Sequence, residues 1–445
     1  MVLVVLSMTA VLAAMGLAFS AGMSYIVKAK LNAATDAAGL AAARAVSVGI
    51  NESEQRANAK DAAQRFFTAN FPANYMMSTA TLNDTQVTFN RGEVTINVSA
   101  SATMPVSFFG GTATSSMSPG VITETKRKDL DMVVALDTSG SLLNQGANVR
   151  SSATTFLNQF NQDTDRVGLL HFAYGAVVDV PIRPTARGFD RKLMTQKIGA
   201  YYFDGSTASA EGMYNAREQI NSVPETNLNR SNLRVIVFFS DGAPNSFGTY
   251  LTWKKTSDCN APGTITTDDD GAGEPGGLYK LDQQKDDVGG TCTPETLPSY
   301  TRDILRNRAS ELPLWYNGHV TDYAKRNDPG EFKVITSSPR AVTKEITYAN
   351  VNRAARNLVE AMASKSRDEG IYVFTLGLGS ALKAGSGVDG EKGEDTLKCM
   401  ANSTDAPSRC FNATKPVGVY CYAATQADLT PCFSKLASAI LRISK

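Results

Sequence analysis

Five oxygen-bearing residues fall at spacings that could hold a hard cation. They are Asp137, Ser139 and Ser141 in Asp137-Thr138-Ser139-Gly140-Ser141, Thr207 in Gly205-Ser206-Thr207, and Asp241 in Ser240-Asp241-Gly242. Alternate residues of an extended loop point to the same side, so the first three can aim oxygens at one point. Carboxylates and hydroxyls with no His or Cys make an all-oxygen set. Such a set suits magnesium or manganese, with calcium as a further candidate. The competing use is local: hydroxyls in loops and at helix starts cap backbone N–H groups.

Other chemistry has little to stand on. The two histidines, His171 and His319, leave little room for zinc or His-based catalysis. His171 lies inside the apolar run Val167-Gly168-Leu169-Leu170-His171-Phe172, a place for a satisfied core histidine, and His319 has no obvious partner in the sequence. Neither a G-x-S-x-G elbow nor a G-x-x-x-x-G-K-[ST] loop occurs, so no catalytic residue is assigned and a hydrolase reading is the weakest. Asp268-Asp269-Asp270-Gly271 lacks EF-hand spacing and reads as a solvated acidic turn, and Asp389 to Asp395 as a polar loop.

The five residues need elements to position them. From Asp129 onward, short apolar runs alternate with helical patterns. Strands are expected at Asp131–Leu136, Val167–Phe172, Val177–Val180, Val235–Phe239 and Tyr372–Leu376, with an edge strand at Gly418-Val419-Tyr420. Helices are expected at Asn148–Phe160, Thr207–Ile220 and Val351–Ala363. A last helix should start with Thr430 as N-cap and Pro431 at its first position. This is a doubly wound α/β pattern, in which ligands bind beyond the carboxyl ends of the strands. Asp137 and Asp241 both fall there. A segment of nearly 100 residues, 246–343, interrupts the pattern just after Asp241 and should emerge on the same face. It holds Trp253, Trp315, Tyr250, Tyr279, Tyr300, Tyr316 and Tyr323. These form either a recognition surface or the core of a small subdomain.

All six cysteines, Cys259, Cys292, Cys399, Cys410, Cys421 and Cys432, lie in the second part of the chain, with no C-x-x-C spacing. An even number spread over loops reads as disulfides in an oxidising compartment, the alternative being reduced buried thiols. Pairing of sequence neighbours is expected: Cys259–Cys292, Cys399–Cys410 and Cys421–Cys432.

Residues Met1 to Val27 carry no charge. As a helix they would span about 40 Å, enough for a membrane anchor unless a leader has been removed. Lys28 and Lys30 would favour the cytoplasm for the chain beyond them, and the cysteines the opposite side. The cysteines outweigh two charges. Small residues recur at Ala10, Ala14, Ala18 and Gly22, then at Ala34, Ala38 and Ala42; this is either a helix-packing stripe or plain alanine richness. A second helix (Glu52–Asn70) and alternation at Val87, Phe89, Val94, Ile96, Val98 and Ala100 around an Arg91-Gly92 turn outline a small α+β domain. Pro105 to Gly111 and Val121-Ile122-Thr123 should complete it, ending near Lys126-Arg127-Lys128. The whole chain has 445 residues, 42% hydrophobic and 20% charged, with net charge +1. This is a globular composition with no field for gathering nucleic acid.

Two resemblances add to this reading. The hydrophobic start, the Leu31-Asn32-Ala33-Ala34-Thr35-Asp36-Ala37-Ala38 segment and the hairpin-like domain resemble the TadE/TadG-like proteins of Tad-type (Flp) pili, although position 5 is Val5 rather than an acidic residue. Asp137, Ser139, Ser141, Thr207 and Asp241 match the pattern of the metal-ion-dependent adhesion site, and residues from about Asp129 to Lys445 resemble the von Willebrand factor A domain. That resemblance implies serines ligating the metal directly, Thr207 and the aspartates directly or through water, and an open position for a partner's carboxylate. The organisation expected is a long membrane or pilin-like helix (1–48), a TadE/TadG-like α+β domain (49–128) and a von Willebrand factor A domain (129–445) with an insertion (246–343) on the metal face. The function implied is a metal-dependent adhesion component of a pilus, a minor pilin or tip adhesin. It would meet pilus subunits through the N-terminal helix and a protein or surface ligand at the metal. It would sit in the bacterial inner membrane with its bulk extracytoplasmic, or outside the cell on the pilus. The alternative is an inner-membrane pilus assembly factor.

Overall fold

The computed structural model describes residues 2–46, 52–90, 93–105, 116–225, 230–255, 259–267, 275–289, 292 and 309–443. The chain divides into two units, 1–129 and 130–444.

The first unit begins with α1 (Val2–Ala45) and α2 (Glu52–Asn70). These pack on a sheet of β1 (Thr79–Asn90), β2 (Glu93–Pro105), β3 (Ser116–Met117) and β4 (Gly120–Lys128), in which β2 pairs antiparallel with the other three. Alternate residues of β2, from Val94 and Ile96 to Met104, face Leu31, Ala34, Ala38 and Ala42 of α1 and Ala59, Ala63 and Phe67 of α2. A strand of period 2 thus meets helices of period 3.6 along one apolar seam. The small residues have a use here: a Cβ on Gly39 would lie 2.5 Å from the Thr125 hydroxyl. Ala34, Ala38 and Ala42 are buried in this seam, whereas Ala10, Ala14, Ala18 and Gly22 are exposed. The small-residue stripe therefore splits, and only its second half is used within the unit. Val4, Met8, Met15 and Phe19 are exposed beside the first half. Among the described residues one helix, over Ser7–Ala45, is long and apolar enough to cross a membrane; by length and composition it suits an anchor or an export signal alike. The Arg91-Gly92 turn and residues 106–111 lie outside the described residues.

The second unit runs β5 (Leu130–Asp137), α3 (Gly146–Leu157), β6 (Arg166–Phe172), β7 (Ala176–Val180), α4 (Arg191–Gly199), α5 (Ser209–Asn221) and β8 (Leu233–Ser240). Short strands come next: β9 (Ser246–Thr249), β10 (Thr252–Trp253), β11 (Gly263–Thr266), β12 (Gly276–Tyr279) and β13 (Ala309–Glu311). The unit ends with α6 (Tyr348–Asp368), β14 (Ile371–Leu378), the pair β15 (Gly385–Ser386) and β16 (Glu391–Lys392), α7 (Gly393–Ala401), β17 (Tyr420–Ala423) and α8 (Leu429–Ile443). The main sheet has the order β17-β14-β8-β5-β6-β7, parallel except that β7 turns back along β6. Every residue of β5 is buried, as expected of a central strand covered on both faces. Val133 and Ala135 of β5, with Ile236 and Phe238 of β8, pack under α5, α6 and α7. Met132, Val134 and Leu136, with Val235, Val237 and Phe239, pack under α3, α4 and α8.

The aromatic residues of the 246–343 segment answer a question the sequence left open. Tyr250, Trp253 and Tyr316 are buried, and Phe247, Trp253, Ile265, Leu278, Tyr316 and Phe332 join the core on the α5–α6 side of the sheet. With these residues the segment extends that core, while Tyr279, Trp315 and Tyr323 stay half-buried. Ion pairs reinforce the join: buried Arg217 of α5 reaches the exposed Glu331 at 2.7 Å, and buried Arg340 reaches buried Glu360 of α6 at 3.0 Å. Tyr300 and the Asp268–Gly271 turn lie outside the described residues.

Two local expectations need correction. The last helix starts at Leu429, one residue before Thr430. Its entry turn is closed by Asp428, whose carboxylate accepts from the Thr425 N–H and hydroxyl at 2.9 Å. Thr430 instead meets the Ser152 hydroxyl at 3.0 Å, so it joins α8 to α3 rather than capping. Pro431 sits within the first turn, where its missing N–H has no intrahelical partner to lose. The edge strand is Tyr420–Ala423, two residues beyond the expected start; the Gly418 N–H is instead taken by the Ala401 carbonyl at 2.8 Å.

The disulfides are Cys259–Cys292, Cys399–Cys410 and Cys421–Cys432. The last ties the first turn of α8 to edge strand β17. Replacing Cys421 and Cys432 together by Ala should cost up to about 3 kcal/mol, the loop-closure value for a loop this short. Urea unfolding of the full chain without reductant measures it; an unchanged midpoint would mean that packing alone holds α8.

Candidate metal centre

Asp137 ends β5, and Ser240 ends the neighbouring parallel strand β8 just before Asp241. Both carboxylates therefore leave the sheet at one edge. Ser139 and Ser141 lead into a short 3-10 turn over Gly140–Gln145, and Thr207 stands two residues before α5. All five residues singled out in the sequence are brought to this edge.

The oxygens form a continuous chain. The Ser139 N–H donates to Asp137 Oδ1 at 2.8 Å, the Ser139 and Ser141 hydroxyls lie 3.1 Å apart, and Ser141 donates to Asp241 Oδ1 at 2.8 Å. Thr207 reaches the same place, since a Cβ built on Gly242 would lie 3.4 Å from its hydroxyl. Asp137, Ser139, Thr207 and Asp241 are buried, while Ser141 is exposed. The set therefore opens to solvent on the Ser141 side. Burial pushes the Asp137 carboxyl up to about 6, against the pull of hydrogen bonds from Ser139 and Ser240. A dry carboxylate with hydroxyls and N–H groups as its neighbours is a group that a cation would stabilise.

Two supporting residues were not legible in the sequence. Ser240 donates to Asp137 Oδ2 at 2.6 Å and holds the second carboxylate oxygen. Asn245 accepts from the Thr207 N–H at 2.8 Å. Their only sequence signal is proximity to Asp241. The metal loops are also tied to each other, Asp204 N–H to the Thr138 carbonyl at 2.9 Å and Gly140 N–H to the Gly205 carbonyl at 3.0 Å.

Of the remaining candidates, His171 bonds Asp179 at 2.7 Å within the buried sheet. His319 does have a partner, Glu211 of α5, at 2.8 Å. Glu211 is wholly buried and also accepts from the Tyr316 hydroxyl and the Gly248 N–H, each at 2.7 Å, while His319 stacks on Tyr214 with centroids 4.1 Å apart. Burial works to raise the Glu211 carboxyl, but the charge and hydrogen bond of His319, with Tyr316 and Gly248, hold it below its ordinary 4.5. Burial likewise works against the His319 cation, and Glu211 overrides it, raising His319 above 6.5. The Asp389–Asp395 stretch is not the polar loop expected: Glu391 and Lys392 form β16 and Gly393 begins α7, while Asp389 pairs with Arg353 at 2.6 Å and Glu391 with Arg340 at 2.6 Å, so these two carboxylates are already matched. Among the described residues no three His, Cys, Asp or Glu side chains cluster as a metal would require. A cation site here must rely on the hydroxyls.

Residues 131–259 match the sequence model of the von Willebrand factor type A domain. The chain thus carries such a domain, and the strands after the matched stretch complete its sheet. No curated protein matches the chain. Among solved structures, the chain is similar to the pilus adhesin SpaC from Lactobacillus rhamnosus GG, at 12% identity and TM-score 0.38 over 82% of this chain and 35% of that one. It therefore spans about a third of SpaC's length. It is similar to the vWF domain of the type V pili tip protein Mfa5 from Porphyromonas gingivalis, at 15% identity and TM-score 0.38 over 72% of this chain and 97% of that one. A third similar structure is proximal thread matrix protein 1 from the mussel byssus with a zinc-occupied MIDAS motif, at 12% identity and TM-score 0.34 over 70% of this chain and 46% of that one.

Proposed function

We propose that this protein is a metal-dependent binding component of a Tad-type pilus, a minor pilin or tip adhesin that mediates surface attachment. The observation that carries this reading is the hydrogen-bonded chain from Asp137 through Ser139 and Ser141 to Asp241, with the Thr207 hydroxyl beside Gly242 and Ser141 open to solvent. Its donor chemistry fits a hard divalent ion, Mg2+ first and Mn2+ or Ca2+ as alternatives. Asp137, Ser139, Ser141, Thr207 and Asp241 would hold it. When bound, the ion supplies a Lewis-acid position for a carboxylate oxygen of a protein or surface ligand. The serine and threonine hydroxyls add no charge, so the protein's own ligands leave the ion attractive to such a group. No catalytic step is assigned.

The exposed apolar part of α1 supports an anchor in the inner membrane or among pilus subunits, and three disulfides support an extracytoplasmic or extracellular place for the second unit. The test is to express the full chain with a C-terminal tag, shear the cells and fractionate. Tag in the filaments, with attachment lost on chelation and in Asp137→Ala cells that still make pili, is the expected result. Attachment indifferent to both would defeat the reading. A second reading, an inner-membrane assembly factor that holds pilus subunits, is favoured by the length of the apolar stretch in α1. It predicts tag in the membrane alone and no pili in Asp137→Ala cells.

A further inference from the structure

The 246–343 segment sends an arm, β12 with the turn after it as far as Val288, against the metal loops. The arm closes on itself through Lys280 N–H to the Asp286 carbonyl at 2.7 Å and Val288 N–H to the Leu278 carbonyl at 3.1 Å. It is seated on residues 174–176: Tyr174 N–H donates to the Gln284 carbonyl at 3.1 Å and Ala176 N–H to the Leu281 carbonyl at 2.8 Å. Gly175 makes the seat possible. A Cβ there would stand 2.4 to 2.6 Å from the carbonyl oxygens of Lys280, Leu281 and Gln283. The Tyr174 and Tyr279 rings stack above it at 3.7 Å.

This seat delivers one side chain into the metal site's scaffold. Gln284 is buried, and its Nε2 donates to the Tyr202 carbonyl at 2.9 Å, with the carbonyls of Thr138 and Asp204 at 3.4 and 3.5 Å. Thr138 directly precedes Ser139, and Asp204 lies three residues before Thr207. A single amide thus sits among carbonyls from both loops that carry candidate ligands. Its N–H groups add donors at this junction, where the buried Thr138 carbonyl also accepts from the Asp204 N–H and Tyr202 and Asp204 are exposed residues. Without the amide the Tyr202 carbonyl would lose this donor, and the two loops would lose one of the links that hold them together beside Asp204 N–H to Thr138 and Gly140 N–H to Gly205, so they would be free to shift. Ligand oxygens must be held within about 0.5 Å of their working positions, so such a displacement reaches the ion.

We propose that Gln284 is a positioning residue of the metal site, and that the arm carrying it makes the 246–343 segment part of what sets metal affinity; this rests on the metal-ion reading above. The segment then has two functions: it extends the core, and it braces the first and second metal loops from outside.

The test uses the full chain in detergent and Mn2+ alone as probe, with bound Mn2+ read by its effect on water proton relaxation. Gln284→Leu keeps the volume and removes both donors. Gly175→Ala leaves Gln284 intact and lifts the arm from its seat. Each is expected to raise the Mn2+ Kd about tenfold, close to 1.4 kcal/mol. A merely structural amide would lower thermal stability without moving the Kd. Wild-type protein that binds Mn2+ and variants that bind it equally well would overturn the proposal and leave the metal reading standing. Wild-type protein that binds no Mn2+ would overturn both. Should Gln284→Leu fail to fold, Gln284→Asn, whose amide is one methylene short of the Tyr202 carbonyl, is read in the same way.

Discussion

Asp137→Asn is expected to erase stabilisation by divalent ions while leaving the metal-free protein at least as stable as wild type. The two halves of this expectation have opposite causes. With Mg2+ or Mn2+ at a hundredfold excess over its Kd, binding to the folded state alone contributes about 3 kcal/mol. For a unit of this size that is roughly 5 to 10 °C in Tm. Asp137 supplies one of only two carboxylates in the set, so its removal should lose the whole effect. In chelator the sign turns round. Asp137 is fully buried, and its contacts are hydroxyl and N–H donors. A buried charge without a counter-ion is costly. Asn keeps an oxygen for the Ser139 N–H, and its amide can donate to the Ser240 hydroxyl. Thermal unfolding of both proteins, with ion and with chelator, gives four midpoints. A wild-type midpoint that does not rise with ion would end the metal reading. A variant that falls in chelator would show that Asp137 is held by packing and hydrogen bonds rather than reserved for a cation.

Glu211→Ala should cost about 3 to 5 kcal/mol, the range for removing one partner of a buried ion pair. The loss leaves the Tyr316 hydroxyl and the Gly248 N–H buried without their acceptor and the His319 ring without its carboxylate. Because these groups belong to the 246–343 segment and Glu211 to α5, the damage should fall on the join between them. His319→Gln is the gentler probe and carries a pH signature. His319 is raised above its ordinary 6.5, so its contribution is complete below that value and fades as pH climbs through the raised one. Glu211 is lowered below 4.5, so its contribution is complete above that value and fades only as pH falls through the lowered one. The pair is thus strongest between about 4.5 and 6.5. The stability gap between wild type and His319→Gln should be largest near the middle of that window and should narrow in alkali. A gap independent of pH would mean that His319 acts by stacking on Tyr214 alone.

Much of the fold was legible because it depends on local periodicity. The run Asp131–Leu136 is apolar without alternation, and a strand covered on both faces has to read that way. The turn residues after it, Asp137 to Ser141, are informative for the same reason: ligand oxygens on one loop need a fixed short spacing, which survives as a motif. Pairing the cysteines by sequence neighbour gave the observed bridges, since short loops bring their ends together cheaply. The helix start at Leu429 was missed because Thr430 looks like a cap in sequence, and only its hydrogen bond to Ser152 across to α3 shows otherwise.

Patterns within a few neighbours therefore carried the central strands, the helices α3, α5, α6 and α8 and the five residues that could share an ion, but not α4 (Arg191–Gly199) or α7 (Gly393–Ala401). Tertiary structure decided the rest. His319 found Glu211 across 108 residues, Ser240 found Asp137 across 103, and the Gln284 amide reached the Thr138 carbonyl across 146. No local pattern encodes such contacts, because a hydrogen bond constrains only two atoms in space and leaves no periodic trace along the chain. The long segment after Asp241 was for the same reason opaque. Its short strands and single buried aromatics acquire meaning only against the face of the sheet they cover.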